Sequence, residues 1–275
     1  MTIALVIITA SVSGYFLHIP PGVVSQGLGG ASIVVDEGLP AFHNPAMSSG
    51  TQFSMTASKW LYSTSAVATS VCLHDFSCGI SYINYGTIQG YDIYGNMTHT
   101  FTPFSLCVAL SRRFGLFGIS VKGFGERIDT QTTAGACIGI STFTKIWCLG
   151  IGAKIDNLGR EFTENMTVPY TTGIGVRAGI TDAVAVTIEF KSPDIVLNTG
   201  IEYTYENVVL LFGAKYLKPR DMVNNTEVGL RWSDLCYSGG IVVHVGYYAV
   251  GYAFVLHEFM TSHSLCIRFI PGQNR

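Results

Sequence analysis

The chain has 275 residues, of which only 12% are charged, about half the share usual in soluble domains; its net charge is −2 and its mean hydropathy +0.37. With no basic cluster beyond Arg112-Arg113, nothing points to a nucleic-acid partner. No apolar run reaches the roughly 18–20 residues of a membrane helix, which leaves an unusually buried soluble β protein or a membrane barrel. The 31 Gly, 14 Tyr and 16 Phe lean toward the barrel.

Residues 1–14, M-T-I-A-L-V-I-I-T-A-S-V-S-G, resemble the apolar region and small-residue cleavage zone of a secretory signal peptide, though without a positive start. The alternative is a short apolar first strand. Residues 15–50 hold four of the nine prolines and many glycines, so they form neither one helix nor one strand. They read as a compact irregular segment, with a short helical turn expected near Pro40 and Ala41. Within it, Gly29 and Gly30 allow positive φ and close backbone approach. Asn44 precedes Pro45 and is biased to extended geometry, and its amide can tie the segment to a wall. With Ala46, these residues are the candidate plug or gate, and a segment that merely fills space is the competing reading.

Residues 51–270 read as fourteen strands: 51–60, 63–73, 76–85, 102–112, 115–126, 131–142, 145–155, 169–180, 183–190, 196–206, 208–217, 237–246, 248–257 and 262–270. Most match the roughly 9–11 residues of a membrane-crossing strand. Short connections are expected at His74-Asp75, Arg113-Phe114, Phe143-Thr144, Thr181-Asp182, Glu206-Asn207 and Tyr247. The long ones, 86–101, 156–168 and 218–236, all fall on the other side. Short turns on one side and long loops on the other is the outer-membrane barrel pattern.

The phase of the charges is the stronger signal. Successive strand side chains face opposite sides of a sheet. In A-V-A-V-T-I-E-F-K, Glu189 and Lys191 share a face with Ala185 and Thr187, opposite Val184, Val186, Ile188 and Phe190. Lys122 and Glu126 likewise oppose Phe117, Ile119 and Val121; Lys154 opposes Ile151 and Ile155. Arg177, Glu202, Lys215 and Arg268 each oppose large apolar neighbours. A charge facing lipid near mid-membrane costs about 2–4 kcal/mol, and this phase avoids that cost by turning all nine toward a lumen. The same face carries Gly79, Ser81, Ser105, Ala109, Gly135, Gly139, Gly173, Gly175 and Gly200, which leave room inside for a plug or a solute.

Seven cysteines at odd count, without a CxxC pair, sit where small packing residues belong, so neither a disulfide framework nor a metal site is expected. Ser262 and Ser264 flank His263, but neighbours along a strand face opposite sides and cannot bond. No catalytic residue, metal or cofactor is therefore expected, and the chain does not read as an enzyme.

Three stretches carry a family resemblance. Gly27-Leu28-Gly29-Gly30-Ala31-Ser32 followed by Phe42-His43-Asn44-Pro45-Ala46 resembles the G-x-G-G-A … N-P-A opening of PorV/PorQ-type outer-membrane proteins, relatives of the FadL transporter barrels. Asp156-Asn157-Leu158-Gly159 is similar to that family's central N-L-G turn. Tyr252-Ala253-Phe254 with Ser262-His263-Ser264-Leu265 is similar to its closing pattern, although the family's Arg after the His is absent. The resemblance implies a fourteen-stranded transmembrane antiparallel β-barrel of the outer membrane, with residues 15–50 as an N-terminal plug. It implies passive transport of a small hydrophobic molecule. The alternatives are an accessory role in protein secretion, with secretion-machinery proteins as partners, and a structural barrel without transport.

Overall fold

The two-residue alternation is realised in sixteen strands. They are β1 (Thr51–Lys59), β2 (Ser65–Leu73), β3 (Phe76–Asn84), β4 (Ile88–Tyr91), β5 (Met97–Phe101), β6 (Phe104–Phe114), β7 (Phe117–Ile128) and β8 (Gln131–Ile146), then β9 (Leu149–Glu161), β10 (Thr171–Gly179), β11 (Val184–Ser192), β12 (Ile195–Tyr205), β13 (Val208–Lys218), β14 (Leu235–Val245), β15 (Tyr248–His257) and β16 (Met260–Phe269). The computed structural model describes residues 15–18, 21–60, 63–91, 94–163, 166–218, 235–257 and 260–271. The expected signal peptide at 1–14 and most of the expected long connection at 218–236 lie outside them.

Fourteen of these strands form one closed antiparallel barrel, and β4 and β5 form a separate hairpin. Sequence neighbours pair all the way round, except that β3 pairs β6 across the hairpin. The last strand closes on the first, with Phe53 opposite Phe269 and Lys59 opposite His263. Closure gives every strand two partners, the condition for a sheet in hydrocarbon.

The two faces differ as the charge phase requires. β1 alternates strictly, with Gln52, Ser54, Thr56 and Ser58 buried and the residues between them exposed. Outward-facing Val121, Ile188 and Ile267 are 51%, 51% and 54% exposed, inside an aliphatic belt. Outward aromatics stand at its two rims: Phe114, Phe117, Tyr205 and Tyr248 by the short turns, and Tyr82 and Tyr237 by the loops. Such girdles mark the membrane–water boundary of transmembrane barrels.

Two local expectations need correction. The turn expected at Phe143-Thr144 lies at Trp147-Cys148, because the alternation continues to Ile146 and Trp147 takes the left-handed conformation, φ +54°. The connection expected from residue 156 begins after Glu161. β9 runs through Asp156–Gly159 with an irregular register against β8, and Asn157 has φ +62°. The bulge buries both Asp156 and Asn157, which simple alternation would place on opposite faces. Helical turns occur at Val23–Gly27, here α1, and at Pro45–Met47, and the turn expected near Pro40 is present, with the Phe42 and His43 amides both donating to the Leu39 carbonyl. Asn44 caps the Pro45–Met47 turn by accepting from the Ala46 amide.

Ile188 sits mid-strand on the outward face of β11, and Val184 at the strand's start. Ile188→Arg is expected to lower barrel stability by about 2–4 kcal/mol, and Val184→Arg by about 1 kcal/mol or less. Urea unfolding in lipid vesicles measures both; equal effects at the two depths would contradict the membrane placement of the belt.

Candidate functional site

Residues 21–50 lie inside the barrel. Helix α1 packs on β13 to β16, and the Pro45–Met47 turn packs on β6 to β8, across the lumen. The wall makes room with glycine. A Cβ at Gly213 would collide with Gly29 N, one at Gly118 with Ala46 N, and one at Gly79 with the Phe42 ring. Gly200 seats Leu28, while Gly152, Gly173 and Gly175 seat Ile33. Several inward small residues picked out by phase are therefore seats for this segment; Gly135 and Gly139 instead face barrel side chains. Gly29 is constrained twice: its φ is +72°, and a Cβ there would meet the Ala214 carbonyl.

An irregular backbone inside a barrel must find hydrogen-bond partners for its own N–H and C=O groups. The inward polar side chains supply them. Glu189, fully buried, accepts from the amides of Ser32 (2.7 Å) and Ile33 (2.6 Å). Lys191 pairs with Glu189 at 2.6 Å and donates to the Gly30 carbonyl at 3.1 Å. Asn198 donates to the same carbonyl at 3.2 Å. Ser238 Oγ accepts from Gly29 N and donates to Gly27 O, each at 3.0 Å. Lys154 donates to the His43 carbonyl at 3.1 Å. Lys122 binds Asp156 at 2.7 Å and Asn157 at 3.0 Å, beside it.

Toward the short turns, Arg268 holds Asp36 at 3.0 Å. Arg177 and Glu202 bond each other at 2.8 Å, and Glu126 accepts from Ser105 at 2.9 Å, so these three charges serve the wall. Asn44 works mainly within the segment: its Nδ2 donates to Ile33 O at 2.7 Å, with a longer reach of 3.4 Å to Thr142 O on the wall. Ala46 N is also held by Ser141 Oγ at 3.1 Å. Lys215 has no ion pair or hydrogen bond among the described residues. His263 faces outward and bonds Tyr252, while Ser264 faces the lumen and bonds Gln26 and Ser58.

The partners missed by sequence reasoning are Asp156, Asn157, Asn198, Ser238 and the pair Glu37 and His43. Asn198 and Ser238 share the inward phase and could have been found by it. The irregular 15–50 segment has no period, so Glu37 and His43 carried no signal. His43 Nε2 lies 3.1 Å from Glu37 Oε1, at an angle unsuited to a hydrogen bond. Glu37 also accepts from Ser25 N at 3.1 Å. Burial pushes the Glu37 carboxyl up from 4.5 to about 7, against the Ser25 hydrogen bonds and the more distant charge of Arg268. Burial likewise holds His43 well below its usual 6.5, aided by the charges of Lys154, Lys191 and Lys122.

Cavities lie on both faces of the segment. One of about 260 Å³ opens by the loops, between Phe42 and His43 of the segment and Lys154, Lys191 and Lys215 of the wall. Two others, of about 460 and 230 Å³, lie toward the short turns, bounded by Val24 and Asp36. The loop-side cavity shares no lining residue with either.

Fold and lumen together define a closed transmembrane-type barrel with a chain segment folded inside it. No family model matches the sequence, and no curated protein matches it. Solved structures share the fold. The P. putida toluene transporter TodX is 13% identical, with a TM-score of 0.62, covering 91% of this chain and 97% of that one. The CymD monoaromatic hydrocarbon channel is 11% identical, with a TM-score of 0.58, covering 93% and 97%.

Glu189→Gln leaves two buried amides with a weaker acceptor and Lys191 without its counter-charge. Hydrogen bonds to charged groups contribute about 1.5–3 kcal/mol each, so amide protection over residues 29–34 is expected to fall at least tenfold. Hydrogen exchange followed by mass spectrometry reads this directly; unchanged protection would remove Glu189 from the hold on the segment.

The Glu37 and His43 shifts act in opposite directions on docking. Glu37 binds its proton more tightly when docked, so its contribution is complete below about 4.5 and lost as pH rises through about 7. His43 binds a proton less readily when docked, so its contribution is lost as pH falls below 6.5. In His43→Gln, protection factors over residues 23–46 should fall as pH rises from 5 to 8. In Glu37→Gln they should fall as pH drops from 7 to 5.

Proposed function

We propose that this protein is an outer-membrane channel through which a small molecule crosses passively, with residues 21–50 as its plug and gate. The observation that carries the reading is that one cavity lies on the loop side of the segment and two on its short-turn side, and the first shares no lining residue with the others. The solute enters among the loops and reaches the 260 Å³ cavity. It passes when the segment lets go of the wall, and it leaves toward the short turns with no energy input. The polar hold suits this role. Water or solute can replace a hydrogen bond inside a lumen, whereas nothing in lipid can replace a strand's ladder.

A hydrophobic solute, as the resemblance to FadL relatives implies, finds an apolar wall at Phe16, Leu17, Phe42 and Leu217. The toluene and monoaromatic hydrocarbon channels that share this fold support the same class. The outer leaflet and its lipids meet the aliphatic belt. A second reading, an accessory role in protein secretion, is favoured by the β4–β5 hairpin. It projects on the loop side with Tyr91, Tyr94 and Met97 55%, 83% and 73% exposed, a surface suited to a protein partner.

Deleting residues 27–46 is expected to raise single-channel conductance in planar bilayers several-fold, with barrel integrity checked by heat-modifiable migration. Asn44→Ala should give a smaller rise, because it removes the bonds to Ile33 and Thr142. Unchanged conductance and toluene uptake with an intact barrel would reject the gate and leave a filler. Co-purification of secretion-machinery proteins that is lost on deleting 88–101 would favour the accessory role.

A further inference from the structure

Four lysines enter the lumen from alternate strands: Lys122 on β7, Lys154 on β9, Lys191 on β11 and Lys215 on β13, and all four line the loop-side cavity. Their partners are unequal. Lys191 is surrounded by acceptors, namely Glu189, Gly30 O and Ser32 Oγ. Lys122 shares Asp156 and Asn157. Lys154 reaches Asp156 only at 3.7 Å and spends one donor on His43 O. Lys215 faces the cavity with no acceptor among the described residues. Among the described residues, and even with Asp194 at the rim, four ammonium groups face three carboxylates: Asp156, Glu189 and Asp194. A partly desolvated cation without a partner is costly unless something of opposite charge joins it.

Polar groups such as Asn157, Thr171 and Asn198 share the lining with apolar ones. Phe42 closes the cavity from the segment, and Val196 and Leu217 line it from β12 and β13. Lys191 pairs in register with Val196 and Val196 with Leu217, while Lys215 pairs with Asn198 one step along. Cationic and apolar groups thus lie within two neighbouring rows of the same wall. The volume, about 260 Å³, falls below the roughly 300–1,000 Å³ of sites for drug-sized ligands. That leaves space for about one ring and its substituent.

We propose that the loop-side cavity binds a compact organic carboxylate, its oxygens on Lys215 beside Lys191 and its apolar body against Val196 and Leu217. The assignment deepens the channel reading by naming the solute class, and rests on that reading only for passage after binding. The anion supplies the acceptors that Lys215 lacks, and the apolar wall sets its orientation.

The test uses the full-length barrel in detergent micelles and fluorine NMR with 4-fluorobenzoate and its neutral isostere 4-fluorobenzamide. Saturable 4-fluorobenzoate binding is expected, about tenfold weaker in Lys215→Gln and largely retained in Lys215→Arg, as loss of one charge-assisted hydrogen bond implies. The benzamide should bind at least tenfold more weakly to the unmodified protein. Equal binding of the benzamide, or benzoate binding indifferent to Lys215→Gln, overturns the proposal. Competition by inorganic phosphate as strong as by unlabelled benzoate also overturns it, because the apolar wall would then contribute nothing. Binding requires no passage. Intact benzoate binding with no benzoate flux into proteoliposomes therefore counts against the channel alone, and absent binding with intact flux counts against this site alone.

Discussion

Hydrocarbon offers no water to a strand's N–H and C=O groups, so each must find another strand. Everything else in this molecule depends on that. The fourteen strands close, β1 finds β16, and no edge is left. Closure creates an outside that must be apolar and an inside that must take whatever is not. The outward aliphatic belt with its two aromatic rims and the inward serines, threonines, lysines and glutamates are two results of one constraint.

An inside lined with polar groups raises a second requirement, that those groups be satisfied. The N-terminal segment and the wall answer it for each other. The segment brings backbone amides and carbonyls with no strand to pair with; the wall brings inward polar side chains that need partners. Glu189 with Ser32 and Ile33, Lys191 and Asn198 with Gly30, and Ser238 with Gly27 and Gly29 satisfy both sides. The inward glycines give the depth for this contact, since a methyl group at Gly213 or Gly118 would push the segment off the wall. The contact between Glu37 and His43 is one exception. The two side chains sit buried at 3.1 Å without a good hydrogen bond, which makes the segment's fit sensitive to their protons.

The lock differs in kind from the barrel that holds it. Ladder bonds in lipid have no substitute, but the bonds from wall to segment lie beside cavities that can admit water or a solute. Stability is therefore concentrated in the cylinder, and the replaceable contacts are concentrated in its contents. The lysines carry this furthest. Lys154 and Lys191 are tied to the segment and Lys122 to the wall, while Lys215 has no acceptor among the described residues.

The alternation and the charge phase determined the fold. All fourteen barrel strands, the apolar outside and the inward direction of Lys122, Lys154, Glu189, Lys191 and Lys215 came from a period of two, because strand geometry alone sends neighbours to opposite faces. Where the period breaks, the sequence was silent or misleading. Asp156 and Asn157 read as the start of a loop, and only the bulge in β9 brought both to Lys122. The tertiary structure alone decided which inward charge meets the segment and which meets another wall residue. Those contacts join positions such as Ser32 and Glu189, 157 residues apart along the chain. Their distance depends on closure of the whole barrel, and no local pattern encodes it.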